Sequence, residues 1–464
     1  MSLADRLEAA RPIAVSSDPD EKRVSPEGVS LNDFRAYMPM HSYIFMPTGE
    51  LWPTTSVNSR IRPLVEQGSD GSPVLDDKGK ERMLTASAWL DRERPVEQMT
   101  WAPGEPKVIE GRLTSEGGWI TRPGCACFNL YRSPIVVTGN PAGAARWLDH
   151  VGRVYPAEAD HIVKWLAHRV QRPNEKINHA LVLGGAQGIG KDTILEPVKP
   201  AIGPWNFVEV SPQHMLGRFN GFAKSVILRV SEARDLGDVD RFAFYDHMKT
   251  YTAAPPDVLR VDEKNLREYA ILNVCGVIIT TNHKSDGIFL PPDDRRHFVA
   301  WSELSRDDFP EGYWADFYGW YQSGGIRDVG AYLRTLDLSA FDAKAPPPKT
   351  EGFWTIVDSN RAPEDADLAD ALDRLGNPTA TTLTALSGQA SESFSAWLLD
   401  RRNSRKVPHR LEECGYEHVR NPAAKDGLWK LTHGRSAIYA KKGLSARDRI
   451  AAAETLVRDT YPRR

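Results

Sequence analysis

The sequence predicts an α/β protein built on a largely parallel sheet. A mixed α+β region precedes that sheet and a basic module of helices and a hairpin follows it. Three observations predict this. Short apolar runs alternate with helical stretches between Ala180 and Trp301. The first run leads into Gly185-Ala186-Gln187-Gly188-Ile189-Gly190-Lys191, a G-x-x-x-x-G-K pattern. The charge is divided: Arg401 to Arg464 carries 16 Lys+Arg against 7 Asp+Glu, and the preceding 400 residues carry 43 against 55. The formal net charge of −3 hides that division, and a basic module on an acidic body points to a nucleic-acid partner.

Length and composition narrow the class. A chain of 464 residues suggests about three domains. With 41% hydrophobic and 26% charged residues it can bury real cores, which excludes wholesale disorder. Of the four cysteines, Cys125 and Cys127 form a C-x-C and Cys275 and Cys414 stand apart, so no zinc set is complete. They read as small buried residues in a reducing cytosol, not as a disulfide scaffold. No run approaches the ~20 apolar residues of a membrane span. The opening MSLADRLEAARP lacks the apolar segment of a signal peptide, so a cytoplasmic location without membrane contact is expected.

In chain order, residues 1–30 read as a polar tail and 31–150 as the mixed α+β region. Tyr43 to Met46 and Glu50 to Trp52 form a hairpin around Pro47-Thr48-Gly49, Thr85 to Asp91 a short helix and Ile135 to Val137 a short strand. Apolar residues at 162, 163, 166 and 170 give Ala157 to Val170 a helical face. The core spans 151–340, with strands at Leu181 to Leu183, Phe207 to Val210, Val226 to Val230, Val274 to Thr280 and His297 to Trp301. The aromatic stretch Tyr313 to Tyr321 has helical spacing and reads as core packing more than as a stacking surface. Pro346-Pro347-Pro348 opens a spacer over 341–378. Residues 379–464 then read as helices followed by a hairpin of Leu428 to Thr432 and Ser436 to Ala440, a winged-helix-like arrangement suited to DNA.

The G-x-x-x-x-G-K segment lies between a strand and the helical stretch Asp192 to Val198, the context that makes it a phosphate-binding loop. Its glycines turn backbone N–H groups inward, and Lys191 would reach the β and γ phosphates of ATP. The residue after the Lys is usually a Ser or Thr that ligates Mg²⁺. Here it is Asp192, with Thr193 next. The Val226 to Val230 strand ends in Ser231-Glu232, where acids serve metal binding and water polarisation; Glu232 fits the latter role. Ser231 lacks the metal-side charge, so Asp192 is expected to supply it, with Thr193 and Glu232 beside it. Asn282 tips the next apolar strand, where a polar group can orient water and sense the γ phosphate. Arg295-Arg296 leads into the last strand and could reach a phosphate in a neighbouring subunit. Val258 to Asn265 reads as a short hairpin with Lys264 near its tip, a grip for a DNA phosphate.

The order of these motifs resembles the superfamily 3 helicases, and looks most like the helicase part of phage or prophage primase-helicase proteins. The resemblance covers roughly Val151 to Ser339. It implies a P-loop NTPase, AAA+-like fold, and a hexameric ring that hydrolyses ATP with Mg²⁺ in a bacterial host cell. Such a ring translocates on single-stranded or forked DNA and can serve a separate primase or replication initiator. Carried over to this chain, residues 185 to 193 would bind the nucleotide, Glu232 would be the catalytic acid and Asn282 the sensor. Arg296, or else Arg295, would be the finger acting in trans, and Lys264 the DNA-tracking lysine. No acidic D-x-D-type cluster or zinc-binding set precedes the loop, so a helicase without primase is expected.

Two other readings use the same residues. In one, the chain is a non-catalytic replication initiation factor whose nucleotide gates DNA binding, which the departures at Asp192 and Ser231 favour. In the other, Gly190-Lys191-Asp192-Thr193 belongs to a small-molecule nucleotide kinase, which leaves Lys264 and the basic module without a use.

Overall fold

The computed structural model describes residues 28–231, 241–283, 288–359, 363–404, 406–432 and 434–460. The chain divides into two compact units. One comprises Met1–Asn282 with Arg295–Pro348, the other His283–Asp294 with Lys349–Arg464.

The first unit is centred on five strands: β1 (Ala180–Gly185), β2 (Phe207–Val210), β3 (Ile227–Val230), β4 (Gly276–Thr281) and β5 (His297–Ser302). Every pairing is parallel, and the order is β2-β3-β4-β1-β5. Parallel sheets covered on both faces need continuous apolar runs, and β1 and β4 are buried along their whole length. The chain leaves β1 for the far edge, returns through β3 and β4 to β1's flank, then crosses to β5. β1 therefore lies at a change of direction in strand order, where a crevice opens beyond the strands' C-terminal ends.

The α/β expectation holds and each expected core strand is present. The helical stretch after the loop is two pieces, Lys191–Leu195 and Val198–Ile202, because Pro197 cannot donate within a continuous helix. The long helix before the sheet runs from Ala159 to Gln171.

In the preceding region the first hairpin forms as read, with Tyr43 opposite Trp52 and Phe45 opposite Glu50. Thr85 caps the helix Ala86–Glu93 by accepting from Ala88 N–H at 3.3 Å. The strand expected at Ile135 to Val137 is absent. Those residues are exposed and belong to no strand, and Arg334 donates to the Val137 carbonyl at 3.1 Å. β-branched sequence favours extension, but a strand needs a ladder. The Lys264 hairpin consists of Val258–Val261 and Tyr269–Leu272, joined by residues 262–268.

In the second unit the spacer gives way to helices at Glu351–Ser359 and Pro363–Arg374. Three short helices, Leu383–Ser387, Glu392–Leu399 and Lys406–Glu413, pack with Leu368, Phe394, Leu411 and Tyr416 in one core. A three-stranded antiparallel sheet places Ile438–Lys441 between Ala380–Thr382 and Tyr416–Val419. The expected hairpin is shorter than its sequence suggests: Trp429–Leu431 pairs with Gly434–Ser436, and Ile438–Lys441 belongs to the three-stranded sheet. Only Ala437, not a turn residue, lies between Ser436 and the next strand, so sequence alone does not mark where one sheet ends.

Candidate functional site

The loop leaves β1 at its C-terminal end and is held by side chains from surrounding helices. Tyr155 OH donates to Gly184 O at 3.1 Å, Trp147 Nε1 to Ile194 O at 3.1 Å and Tyr321 OH to Thr193 O at 2.7 Å. His150 lies against Gly190 O at 3.3 Å and Tyr313 OH at 2.9 Å, and burial lowers its imidazole to about 4. Gly190 has φ +92°, and a Cβ there would come within 2.4 Å of His150 Nε2. Gly185 has φ +138°, and its Cβ would meet the Ser302 carbonyl at 2.9 Å. Both positions therefore require glycine for conformation and for space.

Lys191 is folded onto this loop. Its Nζ donates to Gly185 O at 2.7 Å, Ala186 O at 2.8 Å and Asn282 Oδ1 at 2.8 Å. Burial lowers the ammonium to about 8, and Arg229 pushes in the same direction while Asp192 opposes it. Asn282 follows the last residue of β4, the strand hydrogen-bonded to β1. The sheet thus brings together the loop lysine and the strand-tip asparagine, 91 positions apart in the chain.

Asp192 and Thr193 have partners already. The Asp192 carboxylate accepts from the Arg229 guanidinium, which also donates to Thr280 Oγ1 at 3.1 Å and lies 3.5 Å from Glu209 Oε2. Thr193 Oγ1 is 3.0 Å from Tyr318 OH. The Ser231 backbone N–H donates to Val210 O at 3.0 Å. Glu232 lies outside the described residues. No group of three or more His, Cys, Asp or Glu able to hold a metal occurs among the described residues. Here the Asp192 and Glu209 carboxylates both face the Arg229 cation, so the described residues do not form a ready Mg²⁺ site.

These residues line a cleft of about 670 Å³ that includes Gln187, Gly188, Lys191, Arg229, Thr280 and Asn282. Its lining is also aromatic, with Trp314 and Tyr318. Both lie on the helix Tyr313–Trp320, which buries Phe317 completely while Tyr318 is 45% exposed. The core-packing expectation therefore holds at Phe317 and fails at Tyr318. Arg306 completes the cleft, with its side chain along Gly188.

The remaining candidates lie elsewhere. Arg295 is exposed and Arg296 half-buried, and both precede β5 at the N-terminal edge of the sheet. The Arg296 carbonyl accepts from Ala180 N–H at 2.8 Å, at the start of β1. Six residues of strand separate that point from the loop, about 20 Å at the usual rise. Lys264 is exposed within the 262–268 turn, beside Glu263, which accepts from Lys224 at 2.7 Å and from Tyr269 OH at 2.5 Å.

Arg229, Arg306, Trp314 and Tyr318 did not emerge from the sequence as site residues. Arg229 had a signal: one charge within an apolar strand run must be paired when buried.

A family of unknown function (DUF5906) matches residues 183–296, less than half of the chain. That segment runs from the end of β1 to Arg296. No curated protein matches the chain. Among solved structures, the A form apo structure of the NrS-1 C terminal region aligns with a TM-score of 0.56 at 14% identity, covering 88% of this chain and 96% of that one. An apo structure of NrS-1 residues 305–718 aligns at 0.55 and 13%, covering 86% and 93%. The X-ray structure of JCV helicase aligns at 0.29 and 12%, covering 51% and 64%. The chain shares its fold with the NrS-1 C terminal region.

Proposed function

We propose that this chain is an ATP-dependent DNA helicase of phage or prophage replication, working as a ring, a homo-hexamer, on single-stranded or forked DNA. One observation carries the reading. Lys191 and Asn282 are hydrogen-bonded to each other beyond the C-terminal ends of adjacent parallel strands. The order β2-β3-β4-β1-β5 supports an AAA+-like P-loop core, because it sets a sensor strand between the loop strand and the strand that leads to Glu232.

In this reading the phosphates of ATP displace the Gly185 and Ala186 carbonyls from Lys191 Nζ and collect the loop's N–H groups. Asn282 then orients the attacking water, and Glu232 takes up its proton. Trp314 and Tyr318 supply faces on which a base can stack. Asp192, Thr193 and Glu232 would hold Mg²⁺ only with the triphosphate in place, where it would supply neutralisation of phosphate charge. Arg296, with Arg295 beside it, lies about 20 Å from its own loop by strand rise, which supports action on a neighbouring copy's nucleotide. Lys264 contacts the DNA backbone from its turn. The second unit has helices, an antiparallel sheet and an inserted hairpin, and we read it as winged-helix-like and DNA-binding.

The ion pair between Asp192 and Arg229 favours a second reading, a nucleotide-gated initiation factor that does not hydrolyse ATP. Phosphate release, with and without single-stranded DNA, separates the two. Release that is DNA-stimulated in wild type and at least ~100-fold lower in Lys191→Ala supports the helicase. Binding of both ligands with no release above that variant supports the initiation factor.

A further inference from the structure

Arg229 is a buried charge on the wall of the cleft that the proposed reaction does not yet use. It stands in β3 with three apolar neighbours, and its side chain is 9% exposed. A guanidinium in a sheet interior carries a desolvation cost that its partners must offset. The partners given to it by the fold are few: the Thr280 hydroxyl, Glu209 at 3.5 Å and Asp192. Asp192 is the strongest of these, and its side chain is 73% exposed. A carboxylate that open to water loses little when released. The guanidinium, by contrast, stays in the cleft wall whichever anion it holds, fixed to β4 through Thr280. It shares that wall with Lys191, close enough for its charge to disfavour the Lys191 ammonium.

We propose that Arg229 is a phosphate-binding cation of the cleft, and that Asp192 is the counter-ion it gives up when the terminal phosphate of a nucleoside triphosphate arrives. This rests on the nucleotide-site reading above. The exchange is favourable on three counts. A terminal phosphate carries more charge than a carboxylate and presents several oxygens to the planar guanidinium fork. The phosphate is held nearby by the loop, so little further ordering is required. The displaced carboxylate returns to solvent at the mouth of the cleft. Selection for a third phosphate follows, since a diphosphate held in the loop leaves Arg229 on Asp192.

The test is metal-free binding of N-methylanthraniloyl-labelled ATP and ADP, which excludes both turnover and any effect of Mg²⁺. Wild type prefers the triphosphate. Arg229→Met reduces that preference about tenfold, as expected for one lost charge-assisted hydrogen bond, with ADP affinity nearly unchanged; Arg229→Lys restores part of it. Asp192→Asn keeps Arg229 and tightens the triphosphate about threefold, the size of a partly exposed ion pair. That gain vanishes in the double variant. Equal weakening of ATP and ADP by Arg229→Met overturns the exchange and leaves a structural role. So does an Asp192→Asn gain that persists without Arg229, which would be simple repulsion. If Arg229→Met fails to fold, Asp192→Asn alone decides: unchanged or weaker ATP binding overturns the proposal. Wild type that binds neither nucleotide overturns the nucleotide site itself, a result distinct from all of these.

Discussion

Lys191 and Arg229, at the C-terminal edge of the parallel sheet, are held differently from Arg295 and Arg296, which precede β5 at its N-terminal edge. At the C-terminal edge Lys191 and Arg229 are buried, and each is tied to groups of its own chain. At the N-terminal edge Arg295 is exposed and Arg296 half-buried. A buried cation with internal partners is pre-organised to meet a ligand that displaces them. An exposed one, such as Arg295, is open to a group outside the chain. The contrast divides the proposed chemistry into a part that one copy contains and a part that needs a second.

The largest effect expected bears on that division. Lys191→Ala and Arg296→Ala should each lower DNA-stimulated phosphate release at least ~100-fold when alone. Mixed in equal amounts before assembly, they should recover about a quarter of wild-type release, because one neighbouring pair in four joins an intact loop to an intact finger. A mixture as inactive as its components breaks the comparison, since both residues would then have to lie in one chain. Full activity in Arg296→Ala transfers the role to Arg295.

A smaller effect separates motor from grip. Lys264 is exposed in a turn braced by Glu263, which holds Lys224 and Tyr269. Lys264→Ala removes one cation and none of that brace. Unwinding of a forked duplex should fall about tenfold with basal hydrolysis unchanged, and the loss should shrink at low salt as remaining phosphate contacts strengthen. Equal loss of hydrolysis and unwinding would tie the turn to the loop and remove its separate role.

What the sequence made legible follows the range of each signal. The loop was readable because seven consecutive residues specify it, and the five strands because parallel strands are short continuous apolar runs. That Lys191 touches Asn282 was not readable, since strand order is set by crossovers and not by local pattern. The aromatic helix shows the same limit. Trp314, Phe317, Tyr318 and Tyr321 share one side of the helical spacing, and spacing alone does not say that Phe317 and Tyr321 are buried while Tyr318 is left at the cleft. Ile135 to Val137 shows the converse: a strand-like composition without a partner strand. Arg229 was legible only as an anomaly, one charge in an apolar run, and its partner Asp192 lay 37 positions away.

The last expectation uses histidines to compare the edges, and it concerns stability. Near the N-terminal edge His161 and His179 face each other through Nε2 at 2.9 Å, and His161 stacks on Phe298 of β5. With His168 they surround Phe341. Burial lowers His161 to about 4, and His168 and His179 to about 3. The loop edge has His150, at about 4. Each is neutral when folded and takes a proton more readily when unfolded. Their stabilisation is therefore complete above the ordinary value of 6.5 and is lost as pH falls through the folded values near 4 and 3. The His161–His179 contact sharpens the loss, because one imidazole must donate and the other accept, and protonating the acceptor sets two N–H groups against each other. The urea midpoint should accordingly decline between pH 6.5 and 4. The decline should persist in His150→Gln and flatten clearly in His161→Gln/His179→Gln. A slope that flattens with His150→Gln instead would put the acid-sensitive edge at the loop and reverse the comparison.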